Sequence, residues 1–245
     1  MVSPVHYLPI LTTVLSALFA WSLYGRWRTR RSPHLWWWAF GITTYGLGTA
    51  IESAITLSGN TVALTKLWYI AGALLGGYPL AQGSLYLSWP RPFARRLTIV
   101  SLTFVIAASI LVVLSPVNLA ALEPVRPSGA VLGWSWIRLL TPFINLYAVF
   151  FLIGGALDSA WRHYRYRGHF YRAAGNGLIA FGAILPGVGG SFAKAGMVEM
   201  LYIGECVGLM LIWLGDRVCS RQAGPRQALG SDLELTVGGP APRGV

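Results

Sequence analysis

Residues 194–213, KAGMVEMLYIGECVGLMLIW, form an apolar stretch that contains three ionisable side chains. About 20 apolar residues at about 1.5 Å each are enough to cross the hydrocarbon core of a bilayer. Lys194 stands at the start of the stretch, Glu199 one to two turns further on, and Glu205 near the middle. Because an ionisable group at membrane depth is costly unless it is paired or hydrated, we expect partners for these charges elsewhere in the chain.

The composition supports a membrane environment for the whole chain. Of its 245 residues, 55% are hydrophobic and 11% are charged, whereas roughly 25% of the residues of a soluble domain are charged. The formal net charge of +11 would suggest nucleic acid in a soluble chain, but here the arginines fall in short loops between apolar segments. We therefore predict an integral membrane protein, in the cytoplasmic membrane of a prokaryote, that binds no nucleic acid.

Six further apolar segments precede the quoted stretch, and the expected fold is an all-α bundle of seven transmembrane helices. The predicted spans are residues 7–24, 35–57, 66–87, 97–114, 134–157, 173–185 and 194–213. Residues 1–222 would form this transmembrane domain. The polar, Gly- and Pro-rich residues 223–245 would form a disordered cytoplasmic tail.

The loops between these spans alternate in charge. Loops one, three and five and the start of the tail are rich in arginine, whereas loops two, four and six are nearly neutral. By the positive-inside tendency the N-terminus lies outside and the C-terminus in the cytoplasm. The arginine-rich loops are expected to bind the anionic headgroups of membrane lipids.

A weak internal repeat is also present. Spans one to three and five to seven would share an orientation, with span four as the inverting linker. The third elements of the two halves resemble each other, since WYIAG ends at Gly72 and LYIGE ends at Glu205. A 3+1+3 arrangement is therefore one option for the bundle.

Polar side chains recur at helical spacing on spans two, three, five and seven, whereas spans one and four have no such stripe and are expected at the lipid-facing periphery. Most of the polar side chains fall in the outer half of the membrane. The predicted ligand- or ion-binding residues are Glu52, Lys66, Tyr69, Arg138, Asn145, Lys194, Glu199, Tyr202 and Glu205. A secondary polar stripe, in the inner half, consists of Tyr78, Gln82 and Tyr86.

Two interpretations of the outer-half charges stay open. Three acids and three bases balance in formal charge, so they could form a structural ion-pair network rather than a site. For Glu205, burial disfavours the ionised form. We therefore expect its carboxyl either to be protonated and hydrogen-bonded to a neighbour such as Asn145 or Tyr69, or to face a water-filled cavity. Lys194 shares its predicted helix face but lies too far along the helix for a direct bond.

The function predicted from these features is binding of a small solute or ion in the outer half of the bundle, most simply by a transporter. The sequence contains no motif for a serine nucleophile, a phosphate-binding loop or a metalloprotease, and we predict no metal and no cofactor. The alternative is a receptor-like sensor that signals to a separate cytoplasmic partner. An intramembrane enzyme or a structural scaffold is a further alternative. Assembly into a homo-oligomer is also left open by the sequence.

Overall fold

The computed structural model of the chain describes residues 4–124, 126–165 and 170–220. In these ranges the chain is all-α and contains no strand, apart from an isolated antiparallel bridge between Val117 and Leu132. The predicted all-α class is confirmed. The predicted tail, residues 223–245, lies outside the described residues.

Nine α-helices lie in the described residues, several of them extended by short 3-10 or π turns. They are α1 (Leu8–Arg30), α2 (Pro33–Ser58), α3 (Val62–Trp68), α4 (Tyr78–Ser88), α5 (Arg91–Leu114), α6 (Leu140–Ala148), α7 (Gly155–Arg165), α8 (Phe170–Lys194) and α9 (Val198–Ser220). A π turn at Tyr69–Leu74 continues α3, and another at Val149–Gly154 joins α6 to α7. The 3-10 turns are Pro4–Tyr7, Leu119–Ala121, Gly129–Val131 and Ser135–Leu139.

Five helical segments of the described chain are long and apolar enough to cross a membrane. They are Pro4–Arg30, Arg91–Leu114, Ser135–Arg165, Phe170–Ala193 and Val198–Ser220. Their length of 23 to 31 residues exceeds the roughly 20 that a bilayer requires. The chain is thus a polytopic integral membrane protein.

The helices pack as a ring with one helix outside it. α1 contacts both α2 and α9, α2 contacts α4, α4 contacts the π turn at Val149–Gly154, and α7, α8 and α9 follow in order. α5 packs on one side only, against α4 and the turns Tyr69–Leu74 and Ser135–Leu139. The peripheral position predicted for span four agrees with this packing. α1 exposes apolar side chains such as Leu11, Val14 and Trp21, but it also closes the ring and buries Phe19 and Leu23.

The third predicted span is interrupted between α3 and α4. The chain leaves helical geometry at residues 75–77, where Gly76 donates its N–H to the carbonyl oxygen of Gly72 at 3.1 Å. A Cβ at Gly76 would clash with that oxygen, so a side chain would not fit there. Pro79 lies in the first turn of α4, where its missing N–H is tolerated.

The boundary between spans six and seven differs from the prediction. α8 does not stop before Pro186 but continues to Lys194, and a turn with Gly196 at φ +95° separates it from α9. Glycines let α8 and α9 approach closely, since a Cβ at Gly208 would lie 2.6 Å from the carbonyl oxygen of Gly182. This packing holds α8 helical beyond its proline. Lys194 therefore belongs to α8, and its predicted place on one face with Glu205 is wrong.

Candidate functional site

Glu52 and Glu205 meet in the interior of the bundle. Glu52 lies six residues before the end of α2 and Glu205 seven residues after the start of α9, so each lies roughly 10 Å from a helix end at about 1.5 Å per residue. Their side chains are close enough for one carboxyl group, if protonated, to hydrogen-bond to the other. Glu52 is 1% exposed. One carboxyl oxygen of each residue is fully buried and receives no hydrogen bond from the described residues.

The contact between the two carboxyl groups fixes their combined proton content. Two carboxylates have only acceptor oxygens, so a hydrogen bond between them requires a proton on one of them. Two adjacent negative charges in a buried site would also repel each other strongly. We therefore expect the pair to hold at least one proton, which would satisfy a buried oxygen that lacks a donor.

The donors around the pair are neutral side chains. The indole Nε1 of Trp68 donates to Oε1 of Glu52 at 2.7 Å, and the hydroxyl of Tyr45 donates to the backbone carbonyl of Glu205 at 2.9 Å. Among the described residues, the ion pairs of the structure include neither glutamate. The balanced network of three acids and three bases that the sequence left open is not formed at this pair.

Two further side chains complete this group. Tyr202 is buried one turn before Glu205 and stands edge-on to the ring of His6, with centroids 5.7 Å apart. Nδ1 of His6 is buried and has no hydrogen-bond partner among the described residues. We refer to Glu52, Glu205, Tyr45, Trp68, Tyr202 and His6 as the carboxyl cluster.

α1 brings polar groups to the end of the bundle that holds the carboxyl cluster. The hydroxyls of Thr13 and Thr49 lie 2.9 Å apart and link α1 to α2. Ser16, one turn further along α1, is 1% exposed and packs against Gly46 of α2. The wedge between α1, α2 and α9 is therefore polar, although the sequence suggested no polar stripe on span one.

The long loop between α5 and the Ser135–Leu139 turn covers this end of the bundle. The side-chain amide of Asn60 donates to the carbonyl oxygens of Glu123 at 2.9 Å and Arg126 at 3.0 Å, and its oxygen accepts from Thr65 at 2.8 Å. Glu123 and Arg126 form an ion pair whose hydrogen bonds raise the pKa of Arg126. Arg126 is close enough to interact electrostatically with Tyr202, so the loop lies over the carboxyl cluster.

Two of the other predicted site residues have structural partners. Nζ of Lys66 donates to the carbonyl oxygens of Val113 at 2.8 Å and Ser115 at 2.7 Å, and so caps the C-terminal end of α5. The hydroxyl of Tyr69 lies 2.7 Å from that of Thr141 and joins the third predicted span to α6. Tyr69 is therefore not the partner of the Glu205 carboxyl.

The other residues predicted for the outer half do not join the carboxyl cluster. Arg138 and Asn145 are exposed, so Asn145 is not the hydrogen-bond partner predicted for Glu205. Glu199 is half-buried in the first turn of α9, where a negative charge is favoured by the helix dipole. Lys194 ends α8, and its side chain lies outside the described part. Of the nine outer-half residues, the structure groups Glu52, Tyr202 and Glu205 in one cluster.

The predicted secondary stripe links α4 to α5. Ser101 accepts from Nε2 of Gln82 at 2.8 Å and pairs with the hydroxyl of Tyr78 at 2.9 Å, while Thr98 donates to Oε1 of Gln82 at 2.9 Å. Tyr78 and Gln82 are buried, whereas Tyr86 is half-buried near the start of α5. These bonds hold α5 on the outside of the ring.

Tyr45, His6 and Trp68 are the members of the cluster that were not among the predicted site residues. His6 precedes the first apolar segment and Trp68 resembles an interfacial aromatic residue, so neither gave a signal of its own. Among the described residues there is no group of three or more His, Cys, Asp and Glu side chains that could hold a metal ion. Comparison with protein-family models, with curated proteins and with solved structures gave no match.

Proposed function

We propose that the chain is a membrane transporter that couples the movement of a small solute or ion to proton binding at Glu52 and Glu205. The observation that carries the proposal is the buried carboxyl pair between α2 and α9. Ionisable groups inside membrane bundles are rare, and they commonly mark proton or ion pathways. A purely structural link between two helices would not need two acids that compete for a proton.

The proposal includes seven spans with the N-terminus outside. α2 has 26 residues, and Val62–Ser88 is a second packed element of similar length interrupted at residues 75–77. With the five apolar helices they make seven segments of alternating direction. The arginine-rich loops then face the cytoplasm of a prokaryotic cell, and the carboxyl cluster lies in the outer half of the membrane.

Two contacts at opposite ends of the bundle support alternating access. At the outer end a shared proton joins α2 to α9. At the inner end Arg26 of α1 donates through Nη2 to Asp216 of α9 and through Nη1 to Ser220, both at 2.6 Å. Loss of the proton leaves two carboxylates that repel each other, which favours separation of α2 and α9 at the outer end.

Breaks in the helices offer points at which such a motion could bend the bundle. Helices kink at prolines and at π turns, where the regular hydrogen-bond ladder is interrupted. The chain has Pro186 inside α8, π turns at Tyr69–Leu74 and Val149–Gly154, and the break at residues 75–77. They lie on the third, fifth and sixth segments, of which the third packs against α2 and the sixth against α9.

The test is proton flux in proteoliposomes that contain a trapped pH-sensitive dye. Because the solute is unidentified, amino acids, sugars and organic cations are each added to one side under a pH gradient. We expect solute-dependent proton movement for the wild type and for Glu199→Gln, the matched control on α9. Glu52→Gln and Glu205→Gln should keep the fold and lose at least about tenfold in flux, in the range typical of a lost acid–base group.

Vesicles that stay inert to every solute class, with folded protein in them, would contradict the transporter. The receptor-like sensor with a separate cytoplasmic partner, the scaffold and the intramembrane enzyme would then be the surviving functions. If Glu52→Gln and Glu205→Gln leave the flux unchanged, the chain is still a transporter, but the carboxyl pair takes no part in transport.

A further inference from the structure

Three arginines surround a concavity where α5 begins. Arg91, Arg95 and Arg96 line it together with Tyr86 of α4 and Pro33 of α2, and its volume is about 650 Å³. All three arginines are exposed. The concavity lies at the end of the bundle opposite the carboxyl cluster, because α2 begins here and ends near that cluster.

The three guanidinium groups have no counter-charge. In residues 4–124, 126–165 and 170–220, the ion pairs and side-chain hydrogen bonds of the structure involve none of them. The first turn of α5 contains no acid. The N-terminal end of a helix carries the positive end of its dipole, so three cations there repel both the dipole and one another. A bound anion would remove this repulsion.

An apolar stripe continues from the arginines along the outward face of α5. Ile99, Ile106, Ile110 and Val113 follow Arg95 at spacings of three, four or seven residues, which places them on one side of the helix. Each of the four is between 50% and 59% exposed. From Ile99 to Val113 the stripe runs about 21 Å at 1.5 Å per residue, more than the depth of one leaflet of a hydrocarbon core about 30 Å thick.

We propose that this surface binds one anionic phospholipid, with the phosphate in the arginine concavity and an acyl chain along the stripe. Arginine suits this role because its planar guanidinium donates two parallel hydrogen bonds to a phosphate. Tyr86 adds a phenol at the level that aromatic residues prefer in membranes. A free phosphate ion would use the arginines but not the stripe. The site is independent of the carboxyl cluster and does not depend on transport.

The test is lipid titration of the purified protein, with bound lipid counted by native mass spectrometry. We expect phosphatidylglycerol to bind about tenfold more tightly than phosphatidylcholine of the same chain length, because both carry the phosphate but the quaternary ammonium of phosphatidylcholine is repelled by the arginines. The combined variant Arg91→Gln, Arg95→Gln, Arg96→Gln should lose that preference. The matched control, Arg28→Gln, Arg162→Gln, Arg165→Gln, removes equal charge at the same end of the bundle and should keep it.

Two further binding measurements distinguish a lipid site from a site for a free anion. Phosphatidylglycerol with six-carbon chains should bind more weakly than the long-chain lipid, and inorganic phosphate should not compete. Equal binding of both lipids, or an unchanged preference in the combined variant, would overturn the site. Competition by inorganic phosphate at the potency of the lipid would replace it with a plain anion site. If the combined variant fails to fold, Arg95→Gln alone should show a smaller loss in the same direction.

Discussion

At the scale of single residues, the carboxyl cluster combines one ionisable pair with neutral donors. Glu52 has Glu205 on one side and the indole of Trp68 on the other. An indole N–H supplies a hydrogen bond without a positive charge, and so does not force the glutamate to ionise. The indole bond between α3 and α2 can therefore stay formed while the pair gains and loses a proton.

Replacement of Trp68 by Phe removes that donor and leaves Oε1 of Glu52 buried. We expect the variant to lose about 1–3 kcal/mol of stability, the usual cost of an unsatisfied buried acceptor. Thermal unfolding in detergent micelles measures the change. Trp134→Phe is the matched control, because Trp134 is 38% exposed. Equal unfolding temperatures for the two variants would mean that the indole bond to Glu52 does not contribute.

At the scale of helices, Lys66 caps the C-terminal end of α5. The last carbonyl groups of a helix lack partners within it, and Lys66 reaches across from α3 to bind two carbonyls at the end of α5. This bond helps to hold the one helix that lies outside the ring. The sequence predicted Lys66 as a site residue or as part of an ion-pair network, and a cap on a neighbouring helix was not considered.

We expect Lys66→Met to destabilise the protein by about 1–2 kcal/mol, somewhat below the range for hydrogen bonds to charged groups since the residue is half-exposed. Unfolding by heat or denaturant measures this. Proton flux should be unchanged, because Lys66 makes no contact with the carboxyl pair. Arg138→Met, which removes an exposed charge near the same end, should affect neither quantity. A loss of flux at normal stability would place Lys66 in the transport pathway instead.

The sequence predicted the positions of the helices better than it predicted which helices pack against each other. Apolar length and arginine clusters located most helices, because both follow from the membrane itself. The end of α8 was missed because Pro186 is a local signal, whereas the packing of Gly182 on Gly208 is tertiary. Glu52 and Glu205 were identified as unusual by their depth, but which of six charges would meet depended on the order of helices around the ring.

At the scale of the whole molecule, the two ends of the bundle differ. One end carries the carboxyl cluster under the loop that Asn60 holds, and the other carries the Arg26–Asp216 ion pair and the arginine concavity. Such asymmetry fits a protein with a fixed orientation in the membrane. The closing contact between α1 and α9 could not be predicted from the sequence, since it joins helices more than 160 residues apart.

The orientation is testable with single cysteines in a background that lacks Cys206 and Cys219. We expect Leu119→Cys, an exposed position in the long loop, to react with a membrane-impermeant maleimide in intact cells. Arg165→Cys, at the end of α7, should react only after the membrane is opened. The reverse pattern would contradict an N-terminus outside and would move the carboxyl cluster to the cytoplasmic half.

A proton shared by Glu52 and Glu205 at neutral pH is detected most directly by infrared spectroscopy. A protonated carboxylic acid has a C=O stretching band that an ionised carboxylate lacks. We predict this band in the wild type and in Glu199→Gln at neutral pH, and its loss in the double variant Glu52→Gln, Glu205→Gln. A wild-type spectrum without the band, or a band that the double variant retains unchanged, would contradict the account.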